Sequence, residues 1–171
     1  MTIKMSVLRL SAGLVFVLLS LAPGNLVRFI PLASAEDGLS HCVTIGGALM
    51  TNIGAIAGET NLGPVSGDLA GAVAATILGQ NSDGTFNVQH YWVTSSAETI
   101  KLKVAVLHPT FPVSGDQLIV AVPWGNYRSV IAGGTGKFKG ATGYIDYFGI
   151  ADFHQSTLVL RYRGQVCYAH Q

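Results

Sequence analysis

The sequence predicts an all-β protein, a closed antiparallel barrel of about eight strands. Three observations predict it. Side-chain polarity alternates with a period of two along most of the chain after residue 35, turn-forming clusters cut that pattern into short runs, and no stretch carries a helical period with caps. Many short antiparallel strands without helices bury their apolar faces as a sandwich or as a barrel. Closure removes exposed sheet edges, and eight strands enclose an interior that side chains or one small ligand can fill. A sandwich joined by its termini is the alternative architecture.

The chain has 171 residues, 49% hydrophobic and only 11% charged, which excludes a disordered polymer. A formal net charge of +1 offers no basic excess for nucleic acid. Residues 1–35 read as a signal peptide: Lys4 and Arg9 precede an apolar run over 10–22, and Ala33 and Ala35 frame a small-residue cleavage site before Glu36 and Asp37. The run is too short to span a bilayer. An earlier cut or an uncleaved anchor is the alternative. Removing Lys4, Arg9 and Arg28 with this segment leaves seven basic residues against nine acidic ones in residues 36–171, one β-barrel domain. No membrane association is expected after signal removal, and the expected location is secreted or periplasmic.

The elements follow in order. Residues 42–45 form a first strand, and 46–64 is glycine-rich, either a strand with bulges or a long loop. Residues 69–78 are alanine-rich, yet Gly71, Val73 and Thr76 argue strand over helix. The turn Asn81-Ser82-Asp83-Gly84 leads to a strand over 86–94, where Val88, His90 and Trp92 share one face. Over 99–107 the alternation is clearest: Ile100, Leu102, Val104 and Val106 are predicted inward, Lys101 and Lys103 outward. Leu118, Val120 and Val122 repeat the pattern after Ser114-Gly115-Asp116. Beyond Pro123-Trp124-Gly125-Asn126 come strands over 127–132, 142–153 and 157–167, the last placing Leu158, Leu160, Tyr162 and Val166 inward.

Cys42 and Cys167 form an even pair in a chain predicted to be exported, which reads as a disulfide. Two buried free thiols, or a lipid-anchored Cys42, are the alternatives. Cys167 shares the outward parity of Arg161 and Arg163, so a bond to Cys42 clips the first strand to the last on the outer face. Barrel closure requires such a pairing.

The most distinctive string runs Ile131-Ala132-Gly133-Gly134-Thr135-Gly136-Lys137-Phe138-Lys139-Gly140-Ala141-Thr142-Gly143-Tyr144. A phosphate-binding loop would need glycine at Ile131 and Ser or Thr at Phe138, and the spacing from Gly136 to Gly140 also breaks the dinucleotide pattern. Read as structure, it is a tight corner between strands with Phe138 as an apolar plug.

At these residues the chain resembles the allene oxide cyclase and dirigent barrel superfamily, whose signature is Gly-Gly-Thr-Gly-x-Phe-x-x-Ala-x-Gly. Gly133, Gly134, Thr135, Gly136, Phe138, Ala141 and Gly143 match it position by position. The likeness is specific over residues 117–168 and weak over 36–116. It implies a calycin-like barrel, a small and largely apolar ligand, a homo-oligomer, and cyclisation, isomerisation or stereochemical guidance of a coupling. Plant dirigent proteins usually read Ala-Arg-Gly where this chain has Ala141-Thr142-Gly143. The arginine associated with their pocket therefore has no counterpart, and their catalytic assignment does not carry over.

Candidate chemistry comes from two faces. If Tyr144, Asp146 and Phe148 point inward, Asp146 is a carboxylate in an aromatic pocket, raised in pKa by desolvation and able to move a proton. If Ile145, Tyr147 and Phe153 form the inner face instead, Asp146 is an ordinary solvated charge. His90 inside the barrel can serve as general acid or as donor to a ligand carbonyl, or simply as a satisfied structural group. Asp146 and His90 are thus the catalytic candidates, with Tyr144, Phe148, Trp92, Tyr127 and Trp124 as ligand-lining candidates unless they only pack the core. His41, His90, His108, His154 and His170 show no metal spacing at i and i+2, and no Gly-x-Ser-x-Gly elbow occurs. No metal or cofactor is expected. The competing function is a non-catalytic secreted scaffold or binding protein of the same fold. A continuous interior space of roughly 300 Å³ or more with convergent polar groups separates a ligand binder from a filled barrel.

Overall fold

The computed structural model describes residues 41–56 and 59–169, so the expected signal peptide lies outside the described residues. Ten strands and one short 3-10 turn are present among them: β1 (His41–Ile56), β2 (Thr60–Gly67), β3 (Gly71–Gln80), β4 (Phe86–Thr94), β5 (Thr99–Leu102), β6 (Ala105–Leu107), β7 (Ile119–Val122), β8 (Arg128–Gly134), β9 (Thr142–Asp152) and β10 (Thr157–Tyr168), with the 3-10 turn at Gly136–Phe138. All pairings between strands are antiparallel.

These strands fill eight positions around a closed barrel. β1 pairs β10 from His41↔Tyr168 to Asn52↔Thr157, and β10 pairs β9, so the first strand meets the last. Two positions are shared. β5 and β6 lie end to end beside β4, and β8 and β7 lie end to end beside β9. Closure on that side comes from β5 against β8 and from bridges at Leu107↔Tyr127 and Thr110↔Ala121. Cys42 and Cys167 face each other in register and form a disulfide.

The glycine-rich segment 46–64 resolves into strand. β1 runs on to Ile56 with a register shift after Asn52, then β2 returns along it. Glycine is required there by close approach rather than by a turn. A Cβ on Gly47 would collide with the Ser66 carbonyl oxygen and lie 2.6 Å from the Tyr162 ring.

The run 99–107 departs from the predicted alternation. Tyr91↔Lys101 and Val88↔Ala105 are paired, so two residues of β4 face three residues, 102–104, on the other side. That extra residue flips the parity. Ala105 is buried, whereas Val104 and Val106, predicted inward, are exposed. The gap is closed by the Gln89 side chain, whose Nε2 donates to the His90 and Leu102 carbonyls at 2.9 and 3.0 Å.

One end of the barrel is packed solid. Trp92 Nε1 donates to the Leu69 carbonyl (3.0 Å), and the Trp92 ring meets Tyr162 edge-on at 5.4 Å. Tyr162 Oη accepts from the Leu69 amide (2.9 Å) and donates to the Ser66 carbonyl (3.1 Å). Phe138, wholly buried, plugs the same end from the corner and packs on Tyr168. The corner itself is stapled to the β4–β5 turn. Thr135 Oγ1 accepts from the Thr99 amide (2.7 Å), and Glu98 accepts from the Lys137 amide (2.8 Å). At Gly143 the backbone has φ of +127°, and a Cβ would collide with the Gln165 carbonyl oxygen.

Candidate functional site

The other end of the barrel is hollow. A cavity of about 600 Å³ opens between the far ends of β1, β3, β6 and β9 and the near ends of β2, β4, β7 and β10. Its wall is mainly aliphatic, for example Leu49, Val73, Ile77, Val88 and Leu160. Leu78, Phe111, Leu118 and Phe153 line it near the opening and stay partly in solvent. Among the described residues no Lys or Arg lines it, and Glu59, exposed to solvent, is the acid of that lining.

Polar groups gather on the floor because alternation on three strands aims them there. His90 points inward from β4, Ser129 from β8 and Tyr147 from β9, while Tyr127 enters from the residue before β8. Tyr127 Oη lies 2.8 Å from His90 Nε2, and Ser129 Oγ lies 3.2 Å from His90 Nδ1. The His90 imidazole stacks on the Tyr147 ring, with centroids 4.8 Å apart and planes 14° apart. Tyr127 and Tyr147 also contact each other, at 5.0 Å. Burial removes water that would stabilise the imidazolium, and His90 is lowered to about 4 from 6.5. The imidazole is therefore neutral at ordinary pH. The same desolvation raises both tyrosines above the usual phenol value, with the neighbouring Tyr147 adding to the effect on Tyr127. Neither ionises in the physiological range.

Two further polar groups sit on the wall. Thr51 Oγ1 is buried with no hydrogen-bond partner among the described residues. Asn61 accepts from the Gly54 amide through Oδ1 at 3.4 Å. The Tyr147 hydroxyl lies near Ser129 but has no partner in hydrogen-bonding geometry among the described residues. A buried hydroxyl without a partner costs free energy, so a cavity that keeps them is suited to an occupant with a polar atom.

The strand β9 presents Ile145, Tyr147, Ala151 and, just beyond it, Phe153 to the interior. Three candidates are therefore relocated: Tyr144, Asp146 and Phe148 lie on the outer side. Asp146 is buried there not by the barrel but by Arg128, its cross-strand neighbour. Arg128 Nε and Nη2 donate to its two carboxylate oxygens at 2.6 and 2.7 Å, and the guanidinium stacks 4.0 Å from the Tyr144 ring centroid. A half-exposed arginine thus folds over the carboxylate, and Asp146 has no access to the cavity. Phe148 packs against exposed Trp124 at 4.9 Å, also outside. Trp92 belongs to the solid end rather than to the cavity lining. His90 and Tyr127 are the two predicted residues that the fold brings together in the cavity.

Ser129, Tyr147, Thr51 and Asn61 were not among the sequence candidates. The signal for Ser129 was its parity with Tyr127 and Ile131, and for Tyr147 its parity with Ile145. Thr51 and Asn61 lie in the glycine-rich segment 46–64, which the sequence leaves open between a bulged strand and a long loop.

No family model matches the chain, and neither does any curated protein. Among solved structures, the pterocarpan synthase dirigent protein GePTS1 is similar at 15% identity, over 85% of this chain and 100% of that one, with a TM-score of 0.34. The pterocarpan synthase dirigent protein PsPTS1 is similar at 13% identity, over 77% of this chain and 97% of that one, with a TM-score of 0.31.

Proposed function

We propose that this protein binds a small, largely apolar molecule inside its barrel and fixes that molecule's conformation. The cavity carries the reading: about 600 Å³ of mostly aliphatic space, open at one end, with His90 and Tyr127 converging on its floor. That volume falls in the range of small-molecule sites, and a filled scaffold would have no reason to leave it empty. Burying apolar ligand surface supplies affinity at roughly 25 cal/mol per Å², and the polar floor supplies orientation.

Cyclisation, isomerisation or stereochemical guidance of a coupling are the reactions such a site serves best. Each gains from confinement of one reactive conformer, with a neutral hydrogen-bonding group to steer developing charge. His90 and Tyr127 are the residues that would carry that role. Export fits the same reading, because a disulfide persists in oxidising compartments.

The test is native mass spectrometry of the protein purified from its exported form, alongside Ala75→Phe. Ala75 lies between Asn61 and His90 across the inward face, so a phenyl ring there fills the cavity. A small molecule retained by the wild type and absent from the folded variant supports the function. Retention of the same molecule by both sinks it.

A further inference from the structure

We infer that the cavity selects an uncharged ligand with one oxygen or nitrogen function at its inner end, and that it accepts a hydrogen-bond donor or an acceptor there equally well. This inference rests on the ligand-binding function proposed above. It comes from the chain Ser129–His90–Tyr127, which has a property that a single fixed donor lacks.

A neutral imidazole carries one N–H and one lone pair, on opposite sides of the ring. Here both nitrogens face a hydroxyl, Tyr127 Oη at 2.8 Å and Ser129 Oγ at 3.2 Å. Hydroxyls donate or accept as needed, so both tautomers complete the chain. In the first, Ser129 donates to Nδ1 and Nε2–H donates to Tyr127 Oη. The tyrosine proton is then free to reach a ligand acceptor such as a carbonyl. In the second, Tyr127 donates to Nε2 and Nδ1–H donates to Ser129 Oγ. The tyrosine oxygen is then free to accept from a ligand hydroxyl or N–H. The two arrangements hold the same three protons and differ in which ring nitrogen carries one and in how the two hydroxyls are turned, so exchange passes a proton through water or the occupant and requires no heavy atom of the chain to move. Tyr127 has no second hydrogen-bond partner among the described residues, so its remaining capacity is available to an occupant.

The same surroundings exclude charge. Among the described residues a carboxylate ligand would meet no Lys or Arg on the cavity lining, and an ammonium would find its lining acid at Glu59, out in solvent. An ion placed on the floor would lose its hydration without a partner, a cost that hydrogen bonds from neutral groups do not recover. Tyr127 is the group that touches the ligand in this scheme, and His90 and Ser129 position its proton.

Four probes on one tricyclic frame separate the possibilities: fluorene with no polar function, 9-fluorenone as acceptor, carbazole as donor, and fluorene-9-carboxylate as anion. Their dissociation constants are measured by equilibrium dialysis on the wild type and on Tyr127→Phe. Both fluorenone and carbazole should lose about fivefold or more in affinity relative to fluorene when the hydroxyl is removed, the scale of one net hydrogen bond. Fluorene itself should bind the variant no more weakly than the wild type. In the ¹⁵N spectrum of the wild type, the His90 proton should sit on Nε2 with fluorenone and on Nδ1 with carbazole. The same tautomer with both ligands overturns the inference, whatever the variant does. Tightest binding of the carboxylate overturns it while leaving the ligand-binding function standing. Binding of none of the four, fluorene included, removes the function and the inference together.

Discussion

Acid should destabilise this protein through His90 before it reaches the carboxylates. An unfolded histidine takes up a proton near 6.5, whereas His90 in the folded protein does so only at about 4, because burial penalises the cation. The folded value is depressed, so the unfolded state binds more protons between those limits. Stability is then fully present above 6.5 and is lost as the pH falls towards 4. Each pH unit of that gap is worth about 1.4 kcal/mol, so the whole descent costs about 3 kcal/mol, most of it spent by pH 4.5. Urea unfolding followed by Trp92 and Trp124 fluorescence reads it directly. The wild-type midpoint should fall by on the order of 1 M between pH 7 and pH 4.5, given a typical urea dependence of 1–3 kcal/mol per M. His90→Gln and His90→Phe remove the titration, and each should lose much less over the same interval. Asp83, Glu98 and Asp116 are held below the usual carboxylate range by hydrogen bonds, and His154 is raised by Asp116. These groups are common to all three proteins and cancel in the comparison. Equal pH dependence in wild type and both variants would refute the reasoning.

Other perturbations have equally direct readings. Replacing both cysteines, Cys42→Ser with Cys167→Ser, opens a loop with a sequence separation of 125 residues, which the chain-entropy relation values at about 5 kcal/mol; urea midpoints with and without reductant measure it. The Arg128–Asp146 pair should respond asymmetrically. Arg128→Ala strands a buried carboxylate and should cost about 3 kcal/mol, whereas Asp146→Ala frees a half-exposed guanidinium that turns to water and should cost less. Neither substitution should change ligand affinity, since neither residue reaches the cavity, and a titration with any bound apolar probe checks that.

Much of the barrel was legible because polarity alternation is a local signal. Along β10 Leu158, Leu160, Tyr162 and Val166 alternate with Arg161, Arg163 and Gln165, and along β4 Val88, His90 and Trp92 share one face; the structure keeps both assignments, with Tyr91 and Val159 as exposed apolar exceptions on the outer side. The cysteines and the glycine corner were legible for a related reason, since few local conformations accommodate them. What escaped depends on partners distant in sequence. Nothing within residues 99–107 reveals that β4 supplies one residue too few opposite 102–104, so the flip at Ala105 was invisible. Gly46 and Gly47 fit a bulged strand or a loop equally by sequence, and the reason for glycine at 47 is the backbone of Ser66 and the ring of Tyr162. On β9 both parities carry aromatic residues, and the tie is broken by Arg128, whose pairing with Asp146 is a cross-strand register that periodicity does not encode.

The two ends of the barrel divide stability from binding, and this division can be tested by substitution. At the solid end Trp92 is enclosed, hydrogen-bonded to the Leu69 carbonyl and packed edge-on against Tyr162, which itself ties down Leu69 and Ser66. Trp92→Phe leaves that carbonyl without its donor and opens a void among atoms that cannot all close in. Such changes cost about 2–4 kcal/mol. Val120 lies on β7 and already borders the cavity, so its side chain has neighbours on one side and empty space on the other. Val120→Ala merely widens a space that exists and forfeits fewer dispersion contacts, about 1 kcal/mol or less. Ligand affinity should respond in the opposite order, weakened by Val120→Ala through lost wall contact and nearly unchanged by Trp92→Phe. Urea midpoints and probe titrations on the two variants measure both quantities. If Val120→Ala destabilises as much as Trp92→Phe, the open end is structural rather than spared for a ligand, and the separation of roles fails.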